Sequence, residues 1–166
     1  MNILLIILVI LLIYNVADGY KKGMVRAIIS FVSLIVLCIV AALISNALNS
    51  YFDGEILKVV IMVLLLCILG IAHHLLGIVF FSAKIVSKLP IVHSVDKLLG
   101  IVVGILETVL ILWTIYTFMM ILDMGVIGQH LIEYTKESSI LVWFYEHNYL
   151  ARWVEQLGAQ FHIELL

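Results

Sequence analysis

Three ionisable side chains stand inside long apolar runs: His73 and His74 in one, Glu107 in another. A carboxylate buried in lipid costs a few kcal/mol unless it is paired, protonated or turned toward water, so such a residue is first read as functional. Imidazole titrates near neutral pH, which makes His73 and His74 a candidate proton-responsive pair. With Glu107 they would form a polar interior, as a proton relay or a coupling site. A plainer reading stands beside it. Neutral histidines can be satisfied by backbone or serine partners, and Glu107 can sit near the headgroups or stay neutral and hydrogen-bonded. Gly70, His73, His74 and Gly77 share one helical face, which runs on through Lys84 and Lys88 and is expected to look toward the other helices. Nothing in their spacing brings the histidines to Glu107.

Other chemistries find no residues to carry them. No Ser/His/Asp arrangement, nucleophile elbow, glycine-rich phosphate loop or pair of metal carboxylates can be assembled. Asp123 ends an apolar run without an obvious partner. Cys38 and Cys67 both lie within apolar runs and read as small packing residues, with no CxxC, zinc spacing or HExxH. The expectation is a protein that is not an enzyme and uses no cofactor and no metal. A formal net charge of -2 offers no cationic footprint for nucleic acid.

The elements that position these residues follow from composition. Of 166 residues, 65% are hydrophobic and 12% charged, and the mean hydropathy is +1.26. Soluble domains are about half apolar and a quarter charged, so this excess belongs in a membrane. Four apolar runs predict four transmembrane helices, over about residues 2–18, 24–48, 56–82 and 97–122, within a transmembrane domain of residues 1–125. The first is short, and a secretory signal competes with it. Its uncharged start and its exit through Asp18-Gly19-Tyr20-Lys21-Lys22 favour a retained span. Turn residues separate the runs: Gly19 and Gly23, then Asn46, Asn49, Asp53 and Gly54, then Pro90. Ser94 is expected to cap the fourth helix, with Asp96 near the positive end of its dipole.

Lysine and arginine set the orientation. Lys21, Lys22 and Arg26 flank the first loop and Lys84, Lys88 and Lys97 the third, whereas the second has only Lys58 at its edge. The positive-inside rule then places the loops near Lys21 and Lys88 in the cytoplasm and both termini outside.

Residues 126–166 form a different region, an amphipathic helical tail rich in aromatics. Leu150, Trp153, Val154, Leu157 and Phe161 repeat along one helical face, with Arg152, Glu155, Gln156 and Gln160 opposite. Trp143, Tyr145, Tyr149 and Trp153 are candidate membrane-interface residues, since such rings favour the headgroup level. The tail is expected to lie on the outer leaflet or on the mouth of the bundle, or to serve as an oligomer contact. Gly100 and Gly104 make a GxxxG pair that Thr108 extends by a turn, and the loose small-residue face of the second run (Ala27, Ser30, Ser33, Ala41, Ser45) is its expected partner. Arg26 and Asp96, each near a helix entry, are read as a salt bridge joining the two junctions.

Two stretches resemble the colicin V production protein family of bacterial inner-membrane proteins. One is GYKKGMVRAIIS at residues 19–30, holding Lys22, Gly23 and Arg26; the other is VDKLLGIVVGILETVLILW at 95–113, holding Asp96, Lys97, Gly100 and Gly104. Four spans and a polar tail with Glu137-Ser138-Ser139 also match. One departure is Glu107-Thr108, where family members often carry Arg then Gly. The resemblance implies a multi-pass protein of the bacterial inner membrane, accessory to toxin production or export or to envelope homeostasis. Two alternatives remain: a small-solute channel or transporter whose His73, His74 and Glu107 interior forms on oligomerisation, or a scaffold recruiting a secretion or envelope partner through its tail. The bilayer and further copies of the chain are the expected partners.

Overall fold

The computed structural model describes residues 2–49, 54–82, 93–122 and 125–160. They form seven helices: α1 (Ile3–Lys22), α2 (Met24–Asn49), α3 (Glu55–Ser82), α4 (His93–Leu122), α5 (Gly125–Lys136), α6 (Ser139–Glu146) and α7 (Tyr149–Gln160), with no strand among the described residues. The first four are long and apolar enough to cross a membrane. Their outward faces carry Ile10, Ile13, Val32, Ile68, Ile71 and Leu98, all exposed, as lipid-facing side chains are. The fold is an all-α membrane bundle with a helical tail.

Two helix boundaries differ from the sequence reading. α1 continues to Lys22 because Asp18 and Lys22, one turn apart, pair with each other at 2.5 Å instead of ending the helix. α4 begins at His93, so Ser94 is already inside it and is not its cap. Pro90, Asp53, Lys84, Lys88, Asp123 and Phe161 lie outside the described residues.

A single residue, Gly23, separates α1 from α2. Its φ of 76° lies in the left-handed region that glycine adopts without steric cost, and its N–H bonds the Gly19 carbonyl as it stops α1. The Asp96 carboxylate accepts from the Met24 N–H at 2.8 Å, so α2 starts with one free amide satisfied by α4. This is how the two junctions are joined. Asp96 reaches the backbone of α2, where the sequence reading had it reaching the Arg26 side chain.

α1 and α2 make little contact with each other, and both pack along α4. The glycines explain the α1–α4 contact. A Cβ at Gly19 would collide with the Gly100 carbonyl, one at Gly100 with the Gly19 carbonyl, and one at Gly104 with the Asn15 carbonyl. The two backbones therefore touch directly, in a medium where close packing replaces hydrophobic drive. The expected partner for Gly100 and Gly104 was α2. α1 holds that place because Asn15, Gly19 and Gly23 repeat at the same four-residue spacing, whereas α2 packs along α4 elsewhere, with the Thr114 hydroxyl of α4 donating to Cys38 Sγ of α2 at 3.0 Å. One turn further on, Asn15 Nδ2 donates to Thr108 Oγ1 at 3.1 Å, and that hydroxyl donates back to the Gly104 carbonyl.

At the far end of the bundle the tail closes the mouth. Trp113 Nε1 donates to the Phe144 carbonyl at 3.0 Å, and Tyr116 and Thr135 share a hydrogen bond at 3.2 Å. Asn148 Nδ2 donates to the Trp113 carbonyl and the Thr117 hydroxyl, while its Oδ1 caps α7 by accepting from Ala151 N–H. Leu141 is 0%, Leu150 3% and Val154 1% exposed. Leu150 and Val154 of the apolar face of α7 are thus covered where α7 packs on α4 and α2 of the same chain, while Trp153 on that face stays exposed. Among the places open to it in the sequence, the described part of that face occupies the bundle mouth.

Candidate functional site

Among the described residues α1 and α3 make little or no contact with each other, and the gap between them leaves a cavity of about 490 Å³. Asn15, Asp18 and Lys22 of α1 line one wall and Gly70, His73, His74 and Gly77 of α3 the other; Arg26, Ser30 and Ser33 of α2 and Glu107 of α4 complete it. It is a groove whose lining includes Asp18, Lys22, Arg26, His73, His74 and Glu107. Volumes of about 300–1,000 Å³ suit small-molecule sites.

The glycines of α3 set its width. A Cβ at Gly70 or Gly77 would meet nothing within 4 Å, so these positions leave open space where the α1–α4 glycines remove it. His73 and Glu107, which sequence spacing could not bring together, line the same cavity as Ser30. Ser30 Oγ lies 3.1 Å from His73 Nε2. Glu107 is only 5% exposed. Its Oε1 and His73 Nδ1 are both buried without a hydrogen-bond partner among the described residues. Unmade hydrogen bonds of buried polar groups are costly and call for an explanation. His74 is exposed at the edge of the groove.

The remaining sequence candidates divide between groove and scaffold. Lys22 and Arg26 line the charged end of the groove, and Lys22 is paired with Asp18. Gly23, Asp96, Gly100 and Gly104 build the contact behind it. Lys97 lies over the Tyr20 ring at 4.9 Å, a cation–π contact. In the tail, Trp143, Tyr149 and Trp153 are exposed, whereas Tyr145 packs edge-on against Tyr116 at 5.2 Å. Trp113 and Tyr149 make a similar pair at 5.5 Å. Among the described residues, no three His, Cys, Asp or Glu side chains gather to hold a metal ion.

Ser30 and Asn15 are the groove residues that sequence reasoning undervalued. Ser30 read as one small residue among several, and Asn15 as an interruption of the first apolar run. Asn15 carried a usable signal, since an amide inside a span needs a partner as Glu107 does. Ser30 carried none.

Four apolar helices, a capping tail and a groove lined in part by charged side chains define a small multi-pass membrane protein. The family model for colicin V production protein matches residues 4–149, from the start of α1 to the start of α7, and the chain belongs to that family. No curated protein and no solved structure matches it. The departure at Glu107-Thr108 falls where the structure uses both residues, Glu107 in the groove and Thr108 as acceptor for Asn15.

Proposed function

We propose that the chain is a non-enzymatic component of the bacterial inner membrane, accessory to toxin production or export or to envelope homeostasis, and that the groove is its working site. One observation carries this reading: Glu107, Ser30 and His73 all line one cavity between α1 and α3. Lys21, Lys22, Arg26 and Lys97 all lie toward the Gly23 end of the bundle, which supports a cytoplasmic place for that end and an outer place for the tail.

A second reading is favoured by the gap between α1 and α3. A groove open between α1 and α3 becomes an enclosed pathway only when another surface covers it, which suits a small-solute channel formed between copies of the chain. The scaffold reading rests on Trp143, Tyr149 and Trp153, which stay exposed although Leu150 and Val154 are covered by the bundle.

The test compares variants in cells lacking the wild-type chain, scoring toxin release, envelope integrity and membrane abundance together. Glu107→Gln and His74→Ala each abolish function at normal abundance. Unchanged function in both overturns the groove reading. If instead removal of residues 138–166 abolishes function at normal abundance while both groove variants work, the scaffold stands. A monomer in nanodiscs removes the between-copies channel.

A further inference from the structure

We propose that the groove takes up an anionic phospholipid from the surrounding bilayer, with its phosphate at Lys22 and Arg26 and one acyl chain lying along the cavity toward Leu11 and Ile111. This rests on the groove being the working site and adds the class of ligand that enters it. The cavity is reachable from lipid. Tyr14 of α1 and Ile78 of α3 both line it and are both exposed, so its mouth lies on the outer surface of the bundle, between two membrane-crossing helices.

The lining changes character along the helices. Lys22 and Arg26 stand on either side of Gly23, at the junction of α1 and α2, and Asp18 pairs with Lys22. Two cations against one carboxylate leave this end with one positive charge, which complements a lipid phosphate. Deeper in, polar groups are already engaged within the protein. The Asn15 amide donates to Thr108, the Ser33 hydroxyl donates to the Ile29 carbonyl, and Ser30 Oγ bonds His73 Nε2. Glu107 Oε1 and His73 Nδ1 are inaccessible. What these walls offer an occupant is therefore largely carbon, supplied by Leu11, Ile29, Ile78 and Ile111.

Length and width also fit. Leu11 lies three turns before Lys22 on α1, a distance of about 16 Å from the helical rise. That is close to half of the roughly 30 Å hydrocarbon core, the reach of an acyl chain within one leaflet. α4 matches this depth, since Gly100 touches Gly19 and Gly23 and Ile111 follows three turns further on. A Cβ at Gly70 or Gly77 would meet nothing within 4 Å, so α3 leaves the width that a chain needs.

The experiment uses the full chain in mild detergent and reads bound lipid by native mass spectrometry, with phosphatidylglycerol and phosphatidylcholine of identical acyl chains as probes. A single phosphatidylglycerol is expected to stay with each chain in preference to phosphatidylcholine. Arg26→Gln lowers that retention about fivefold, the loss expected for one cation near an anionic lipid. Lys21→Gln, which removes an exposed cation outside the cavity lining, leaves it unchanged. Gly70→Leu fills the cavity and abolishes retention while thermal unfolding stays that of the wild type. A diazirine placed midway along the retained acyl chain crosslinks to Leu11 and Ile111 of the cavity rather than to the outward Val32 and Ile71. Equal retention of the two lipids, equal losses in Lys21→Gln and Arg26→Gln, or crosslinks confined to outward residues overturn the proposal. So does displacement of the lipid by soluble glycerol phosphate, which marks a site for a free anion. If the lipid fails these tests while Glu107→Gln still abolishes cellular function, the groove keeps its role and only its occupant falls.

Discussion

The two ends of this bundle solve the same problem in opposite ways. Toward the tail, polar side chains are folded into local pairings. Thr114 and Thr117 donate to carbonyls one turn earlier at 2.8 Å, which frees the Thr117 hydroxyl oxygen to accept from Asn148. The unpartnered groups there, Ser45 Oγ and Asn49 Oδ1, belong to a hydroxyl and an amide that do not titrate. Toward Gly23, glycines bring α1 and α4 into backbone contact, and on the other side of α1 the bundle is left open. The groups left unpartnered there are a carboxylate and an imidazole. A chain that can close one end with three short helices has the means to close both. The open end is where its polar chemistry lies.

This contrast can be broken from either side, and the effects should fall in a definite order. Gly100→Leu is the most damaging, because the new side chain must displace the Gly19 carbonyl, which is backbone and cannot rotate away. It should cost about 3 kcal/mol or more, read as lost resistance to unfolding in detergent titration. Leu150→Ala empties a fully packed place under the tail and should cost about 2–5 kcal/mol by the same titration, with the groove still intact. Asn148→Ala removes two hydrogen bonds to α4 and the cap of α7, and should cost about 1–3 kcal/mol, seen as earlier hydrogen exchange in residues 149–160. A tail variant that abolished function at full stability would erase the division between the two ends.

Much of this was legible in the sequence. The four spans follow from apolar runs interrupted by glycine, asparagine and proline, and the two charged junctions follow from where lysine, arginine and aspartate remain. The pairing of spans was not legible. Small residues line both α1 and α2, and periodicity names a face without naming its neighbour; only the collision of Cβ positions with Gly19 and Gly100 backbone decides it. That His73 and Glu107 line one cavity was hidden for a related reason. It depends on where α3 settles across α2, a contact marked by Ser30, whose type is as common in packing as in chemistry. The tail's face was read correctly as apolar, but its cover lies about thirty residues back in α4, beyond the reach of a helical pattern.

The central claim is that one end of the bundle is open and polar while the other is sealed. Cysteine accessibility tests it in membranes, in a background carrying Cys38→Ala and Cys67→Ala. Ser33→Cys lines the groove, and Ser45→Cys is fully buried near the tail. A membrane-impermeant maleimide applied to the Lys22 side should label Ser33→Cys readily and leave Ser45→Cys untouched. Labelling of both to the same extent, or of Ser45→Cys alone, would contradict the account.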